Sequence, residues 1–430
     1  MRRAMRRRPG TSPGSALVRL LPWAILIAGI CVRFATHGVG ARTPDEVFYS
    51  RYALAVAEQG PGYFPRFTRE INDHPQAGSF SWPERAGYIA LLASALKITG
   101  QEKGELGAYL SLIASVLVLV LVLTLGTRLA DPWTTSAALL LAAVSPLDLA
   151  IARRTWSDSL VAMLMLTMFF ACACFLVNPG RRRWPALFFL AGTYSLLVKE
   201  SAWPVYLACT LVLAWAARGA QGLAGPVAAR PRTMLALGAL GVALAAAAIV
   251  LACGGPAEAL RTWETARVAN VPNEYMKLYQ TGSPLYYFAG LGVLQPAAFA
   301  AGLLGAALAI VRPSWLTGRA APGGEAVVRL LAWFAVGFLA LAAAYPEKNL
   351  RFVSPLTAPL ALLAALAIRA GTAALGARLP AARRWIPVVA GILIVASAAL
   401  DLARFHDLFE RRGLTDPVTP LLLRPPAPPP

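Results

Sequence analysis

The chain has 430 residues, of which 57% are hydrophobic and only 14% are charged. Soluble domains average roughly 45–50% apolar and about 25% charged residues, so a soluble globular protein is excluded. The 40 Lys and Arg residues exceed the 21 Asp and Glu residues, which gives a formal net charge of +19, but these charges stand in short gaps between long apolar segments. This arrangement predicts a polytopic membrane protein and argues against a nucleic-acid-binding protein.

About eleven apolar segments approach the length of roughly 20 residues that a helix needs to cross a bilayer. The sequence therefore predicts an all-α polytopic membrane protein with about eleven transmembrane helices. The first segment is expected to be an anchor, because it is long and lacks the small-residue cleavage site of a signal peptide. The predicted spans are 16–36, 106–127, 133–152, 159–177, 184–198, 202–217, 233–253, 288–311, 326–344, 352–368 and 385–401.

Arginines in the short connections predict the orientation, because Lys and Arg are retained on the cytoplasmic side. A basic run at 2–8 precedes the first span, and another at 181–183 follows the fourth. We therefore expect a multi-pass protein of the plasma (inner) membrane with a cytoplasmic N-terminus. Nearly every carboxylate then falls on the outer side, which indicates that the chemistry of the protein takes place there.

Two long segments are predicted on the outer side. The first outer loop covers about 37–105, and its apolar part, 84–99, is too short for a span and is expected to form an interfacial or re-entrant helix. The second, 254–287, carries aromatic residues that suit a membrane interface or contact with sugar and lipid, and is the natural partner of the first. Three regions are predicted: a basic N-terminus (1–15), a transmembrane domain (16–401) and a C-terminal tail with a disordered end (402–430).

Acidic and basic residues recur where the predicted helices leave the membrane on the outer side. Asp45 and Glu46 follow the first span, Asp158 lies before the fourth, Lys199 follows the fifth and Arg351 follows the ninth. Charges at such depths are costly unless they are paired or hydrated, and they mark functional sites by default. Capping of a helix N-terminus by the acid pair and interhelical salt bridges are the structural alternatives.

These motifs, in this order, resemble those of the GT-C glycosyltransferases, in particular the branch of protein O-mannosyltransferases and aminoarabinose transferases. The resemblance covers about 23–368. The chain departs from many relatives at His74-Pro75-Gln76, where they carry His-Pro-Pro or Lys-Pro-Pro, and the large C-terminal domain of oligosaccharyltransferases is not expected in it. The matching motifs are Asp45-Glu46-Val47-Phe48-Tyr49, Arg153 to Asp158, Val198-Lys199-Glu200 and Asn349-Leu350-Arg351-Phe352.

The resemblance implies a GT-C-like fold and transfer of a sugar from a polyprenyl-phosphate donor to a lipid, glycan or protein acceptor on the extracytoplasmic face. By this resemblance Asp45 is the base that activates the acceptor hydroxyl, with inversion at the anomeric carbon. Glu46 and Asp158 complete the catalytic group by orienting the acceptor or the cations.

A phosphate leaving group needs no general acid but is stabilised by fixed cations as charge develops. The candidates for contact with the donor phosphate are Lys199, Arg351, Arg153 and Arg154. The candidates on the acceptor side, or as auxiliary groups, are Tyr49, His74, Glu200 and Tyr345. A divalent metal ion held by Asp45, Glu46 and His74 stays an open alternative.

Two functions of other classes compete with the transferase hypothesis. A transporter or flippase of lipid-linked saccharides would commonly show inverted repeats and broken helices with polar groups near the bilayer midplane. The sequence shows no repeat and its apolar segments are almost free of charge, which favours an enzyme. A noncatalytic scaffold in cell-envelope assembly is the second alternative, and it would tolerate loss of the Asp45 carboxylate.

Overall fold

The computed structural model describes residues 13–38, 43–74, 85–100, 105–177, 181–219, 231–269, 274–317 and 323–423. Within these ranges the chain forms α-helices joined by turns and contains no strand. The helices of the first half are α1 (Pro13–Ala35), α2 (Pro44–Gln59), α3 (Tyr63–Asp73), α4 (Ala86–Thr99), α5 (Leu106–Leu129), α6 (Pro132–Ala143), α7 (Pro146–Ala152), α8 (Asp158–Val177), α9 (Arg183–Val198) and α10 (Ala202–Gly219).

The helices of the second half are α11 (Pro231–Cys253), α12 (Pro256–Ala269), α13 (Glu274–Tyr279), α14 (Tyr286–Leu294), α15 (Pro296–Val311), α16 (Pro313–Thr317), α17 (Gly324–Ala344), α18 (Thr357–Arg378), α19 (Ile386–Phe405) and α20 (Thr419–Leu422). A 3₁₀ turn, Leu350–Leu356, precedes α18, and a π-helical turn, His406–Arg411, follows α19.

The predicted all-α polytopic membrane architecture is confirmed, and each predicted span coincides with helical structure. In the described part of the chain, seven helices are long and apolar enough to cross a bilayer, or eight if the bent pair of α6 and α7 is one span. The remaining predicted spans coincide with α9, α10 and the α14–α15 pair, and α9, α10 and α15 are each 16 to 18 residues long.

Prolines account for the breaks that the apolar pattern did not reveal. Pro146 and Pro296 lie inside predicted spans, and each occupies the first turn of a helix, where the missing N–H group would have no intrahelical partner. The predicted span 133–152 is consequently two helices, with a bend of 54° between α6 and α7. Ser145 begins the second of them by accepting a hydrogen bond from the backbone N–H of Asp148 at 3.4 Å.

The core is formed by α8, which is buried over most of its length and contacts α5, α9, α10 and α17. Small residues allow close helix packing elsewhere, as in other membrane bundles. On α15, a Cβ added at Gly305 would lie 2.3 Å from the backbone carbonyl of Leu363 on α18. The two helices therefore approach until their backbones are in contact.

The short helices α2, α3, α4, α12, α13 and α20 cover one end of the bundle, which we call the site end. The predicted interfacial segment is α4, and it packs against α2 and α9 with Tyr88, Ile89 and Leu92 fully buried. The two predicted outer segments meet there, because Asn72 of α3 donates to Glu258 at 3.1 Å and to Thr262 at 3.0 Å on α12.

The predicted C-terminal tail continues the fold as far as Leu423. After α19 the chain makes the π-helical turn and returns to pack α20 against α13 and α14. The expected disordered end lies outside the described residues, as do the basic run at 2–8 and the Pro75-Gln76 departure.

Candidate functional site

Four junctions that are remote in the sequence meet at the site end. They are the N-terminus of α2, the turn between α7 and α8, the α9–α10 junction and the 3₁₀ turn before α18. Asp45 and Arg351 are 306 residues apart, yet the Arg351 guanidinium donates to Asp45 Oδ2 at 2.9 Å. Charged residues from all four junctions thus form one cluster.

Glu46 fixes the N-terminus of α2. Thr43 and Glu46 have the spacing of a capping box, in which the third residue of the helix reaches back to the residue before it. Glu46 Oε2 accepts from the Thr43 backbone N–H at 2.8 Å, and Oε1 accepts from the Thr155 backbone N–H at 2.9 Å. The Arg154 guanidinium lies 3.4 Å from the same carboxylate. This buried carboxylate therefore joins α2 to the turn before α8.

Asp45, in contrast, remains accessible. Its side chain is 42% exposed, whereas that of its partner Arg351 is 14% exposed. The Arg351 guanidinium is 4.9 Å from the centre of the Trp156 ring, and the Trp156 indole N–H donates to the Thr43 hydroxyl at 3.2 Å. Burial alone would raise the pKa of Asp45, but Arg351 and Arg85 outweigh it and hold that pKa below its usual value. Asp45 is therefore ionised at neutral pH.

Lys199 and Asp158 form a direct ion pair that is more deeply buried than the pair of Asp45 and Arg351. Asp158 begins α8 and Lys199 directly follows α9, and their side chains are only 4% and 3% exposed. The Lys199 ammonium also lies 4.8 Å from the centre of the Phe352 ring. Burial lowers the pKa of Lys199, and Asp158 opposes that change.

Arg85 is a site residue that the sequence prediction did not assign. Its guanidinium donates to the hydroxyl of Tyr49 and lies 3.3 Å from a carboxylate oxygen of Glu200. Burial raises the pKa of Tyr49 to about 12, so its phenol is protonated. Burial would raise the pKa of Glu200, but Arg85 and Lys199 lower it overall. The sequence signal that could have pointed to Arg85 is Trp82-Pro83-Glu84-Arg85, directly before α4, but it does not reveal the partners of Arg85.

Three polar atoms of the cluster are buried and have no hydrogen-bond partner among the described residues. They are Arg351 Nε, Arg85 Nε and Glu200 Oε2. An unpaired buried donor or acceptor is costly, so most such groups in folded proteins have a partner. These two donors and one acceptor are therefore the candidate contacts of the described cluster for a ligand.

Other predicted residues lie outside the cluster or serve its framework. Arg153 donates from Nε to the Gly38 carbonyl at 2.9 Å and lies 3.9 Å from Glu410, so it anchors the chain after α1 and the π-helical turn. His74 is exposed at the C-terminal end of α3, and Tyr345 is exposed at the C-terminal end of α17. The structure does not place these three beside Asp45.

The proposed metal ligands Asp45, Glu46 and His74 do not form a group that could hold a metal ion. No set of three or more His, Cys, Asp or Glu residues in the described ranges does so. The hard oxygen ligands that a divalent cation such as Mg²⁺ prefers are present at Asp45 and Glu46. Both oxygens of Glu46 are engaged by Thr43, Thr155 and Arg154, and Asp45 Oδ2 accepts from Arg351.

Comparison with known proteins finds no matching protein-family model and no matching curated protein. Solved structures do match. The Archaeoglobus fulgidus oligosaccharyltransferase tethered to an acceptor peptide with the NVT sequon is 14% identical, with a TM-score of 0.56 over 90% of this chain. AglB of the same organism, in complex with an inhibitory peptide and a dolichol-phosphate, is 14% identical with a TM-score of 0.53 over 90% of this chain. This chain covers 55% of the length of either of those chains.

ArnT from Cupriavidus metallidurans bound to undecaprenyl phosphate is 16% identical, with a TM-score of 0.51 over 96% of this chain and 74% of ArnT. These matches are to GT-C glycosyltransferases. The chain has the GT-C fold. At this level of identity the comparison establishes the architecture, so the expected GT-C-like fold is confirmed, and the reaction has to be argued from the site itself.

Proposed function

We propose that this chain is an integral membrane glycosyltransferase that moves a sugar from a polyprenyl-phosphate donor to an acceptor hydroxyl. The observation that carries the proposal is the accessible Asp45 carboxylate in contact with Arg351, above the buried ion pair of Lys199 and Asp158. The fold supports it, because ArnT was solved with undecaprenyl phosphate and AglB with a dolichol-phosphate.

Arg351 and Lys199 are the proposed contacts for the donor phosphate. As the bond between the anomeric carbon and the phosphate oxygen breaks, negative charge develops on the phosphate, and preorganised cations stabilise it. Arg351 Nε is a donor with no partner among the described residues, and both cations flank the Phe352 ring. Arg154 is engaged by Glu46 and Arg153 by Gly38, so we assign these two to the framework of the site.

Asp45 is the proposed base. The acceptor oxygen attacks the anomeric carbon, its proton passes to the Asp45 carboxylate, and the phosphate departs on the opposite side. Arg351 makes Asp45 a weak base in the free protein, but a donor phosphate beside Arg351 adds a negative charge that opposes this effect. A single displacement with one carboxylate predicts inversion, whereas a retaining mechanism needs a nucleophilic carboxylate and a separate acid/base.

The acceptor is proposed to enter beside Tyr49 and Glu200, where Glu200 Oε2 has no donor among the described residues and could accept a hydrogen bond from a hydroxyl. Its chemistry, whether lipid, glycan or protein, is a matter for experiment. The positive-inside distribution supports a site on the extracytoplasmic face of the plasma membrane. A lipid-linked donor suits that face, since nucleotide sugars are made in the cytoplasm.

The direct experiment measures free polyprenyl phosphate released from a panel of labelled polyprenyl-phosphate sugars, in membranes that contain the wild type or Asp45→Asn. Removal of a general base should lower the rate of release by about 10²–10⁴-fold. Asp73→Asn is the matched control, because Asp73 is exposed on α3 and its ion pair with Arg261, at 2.9 Å, is also exposed. Equal rates for the wild type and Asp45→Asn would rule out the assigned base.

The alternative of a transporter for lipid-linked saccharides draws on one observation. The α6–α7 pair is a broken helix that carries Asp148 near the buried Arg33 of α1, and broken helices with charged groups occur in transporters. Arg33 is, however, held by the Ser115 hydroxyl at 2.7 Å and the Ala143 carbonyl at 2.8 Å. These bonds fasten α1 to α5 and α6, which fits a fixed framework better than a moving pathway.

A further inference from the structure

The C-terminal segment after α19 folds back onto the 3₁₀ turn that carries Arg351. The Leu350 backbone N–H donates to the Pro417 carbonyl at 3.3 Å. The Thr419 hydroxyl donates to the Tyr286 carbonyl at 3.0 Å, and its backbone N–H donates to the Tyr286 hydroxyl at 3.0 Å. The end of the described chain is therefore attached to the site end of the bundle beside a proposed phosphate contact.

Asp416 is the polar centre of this attachment, and its carboxylate is buried. Its two oxygens accept from Asn349 Nδ2 at 3.0 Å and 3.2 Å, from the Tyr275 hydroxyl at 2.9 Å and from Gln280 Nε2 at 3.4 Å. All of these donors are neutral. A buried negative charge satisfied by neutral donors orients them strongly, because charge-assisted hydrogen bonds are roughly twice as strong as neutral ones.

Asn349 connects the Asp416 carboxylate to the backbone of Arg351. With its amide group held by Asp416, the Asn349 side-chain oxygen accepts from the Arg351 backbone N–H at 3.1 Å and caps the 3₁₀ turn. Asn349 is completely buried, so its amide has no solvent to replace Asp416 as a partner. The Asp416 carboxylate also attracts the Arg351 guanidinium electrostatically.

We infer that Asp416 is a positioning residue for the transfer reaction, which through Asn349 holds the 3₁₀ turn so that Arg351 meets Asp45 and the donor phosphate. This inference rests on the proposed function. Tyr275 extends the connection to α13, in the second outer segment. Burial and then Asp416 raise the pKa of the Tyr275 phenol, so it remains a donor to Asp416 at physiological pH.

The test compares binding and turnover in purified full-length protein. Undecaprenyl phosphate is the binding probe, and release of polyprenyl phosphate from a labelled donor gives kcat. Asp416→Asn keeps the side-chain size but removes the charge and one of the two acceptor oxygens, so a single neutral oxygen is left to accept from Asn349, Tyr275 and Gln280 and the link to Asn349 is weakened. We expect the Kd for the probe to rise at least fivefold and kcat to fall at least tenfold, since small misplacements of catalytic groups cost up to about 10²-fold.

Three further variants separate positioning from folding. Asn349→Ala breaks the same link but leaves Asp416 bonded to Tyr275 and Gln280, so it should reproduce the loss. The exchange variant Asn349→Asp/Asp416→Asn rebuilds the pair with the amide and carboxylate reversed and should recover most of the activity. Asp407→Asn is the matched control, because Asp407 lies on the same segment and pairs with Arg412 at 2.7 Å, away from Arg351. It should stay within twofold of the wild type.

Arg351→Ala supplies the decisive comparison. If Asp416 acts through Arg351, Asp416→Asn should add less than a twofold change in probe affinity in the Arg351→Ala background. Wild-type affinity and turnover in both Asp416→Asn and Asn349→Ala, or fully additive effects with Arg351→Ala, would overturn the inference and leave the proposed function intact. A wild-type protein that neither binds the probe nor releases it from any donor would overturn both.

Discussion

The buried pair of Lys199 and Asp158 allows a structural salt bridge to be separated from a functional group. The two side chains are 3% and 4% exposed, and each has the other as its ion-pair partner. Lys199→Met removes the positive charge but keeps a long apolar side chain, and so leaves the Asp158 carboxylate buried and uncompensated. The double variant Lys199→Met/Asp158→Leu removes both charges.

The structure predicts that the single variant loses stability and that the double variant does not. Breaking a buried pair by removing one partner costs about 3–5 kcal/mol, whereas replacing both with apolar residues of similar volume is often neutral or stabilising. One kcal/mol shifts the melting temperature by about 2–4 °C in larger domains, so Lys199→Met should melt ~10 °C below the wild type. The double variant should melt within a few degrees of it.

The assay combines thermal unfolding in detergent with release of polyprenyl phosphate. If Lys199 contacts the donor phosphate, the double variant regains stability but stays inactive, with release lowered by at least tenfold. A double variant that is both stable and fully active would show that the pair only joins α8 to α9. A Lys199→Met protein as stable as the wild type would refute the premise of a buried ion pair.

Three more outcomes follow from the structure. Gly305→Ala should destabilise the protein by about 1–3 kcal/mol, because the added Cβ meets a backbone carbonyl, whereas Gly337→Ala, with nothing within 4 Å of its Cβ, should not; thermal melts decide. Burial alone would raise the pKa of Asp45, but Arg351 outweighs burial and lowers it, so Asp45 stays ionised on acidification. We therefore expect kcat/KM to be constant from about pH 7 to about pH 5, and a midpoint near pH 6 would contradict this. Arg33→Leu should cost about 3 kcal/mol of stability, since it removes the guanidinium that donates to the Ser115 hydroxyl and to the last two carbonyls of α6; an unchanged melting temperature would contradict it.

Much of the fold follows from the apolar pattern, because each predicted span is long, continuous and bounded by charges. The pattern does not show where a span breaks. In 133–152 the apolar residues continue through Ser145-Pro146, and only the backbone geometry reveals the 54° bend. Proline at a first helical turn and proline inside a helix have the same sequence context, so hydropathy alone does not distinguish them.

The site was predictable as a set of positions but not as a set of contacts. Asp45, Lys199 and Arg351 were identified because charges near a membrane boundary are costly. Their pairing was not, since partners separated by 306 residues leave no local pattern. Arg85 and Asp416 were missed for a related reason: one stands in a mixed polar segment and the other in an apparent tail, and only the folded chain brings them to the cluster.

The most direct test of the central claim uses the purified chain in liposomes with a labelled polyprenyl-phosphate sugar and a mixture of candidate acceptors. Two quantities are measured together: release of free polyprenyl phosphate and movement of the intact lipid-linked sugar between leaflets. The proposed transferase should release polyprenyl phosphate only when an acceptor is present, and Asp45→Asn should abolish that release. Movement of the intact lipid-linked sugar without release, unaffected by Asp45→Asn, would contradict the account and identify a transporter.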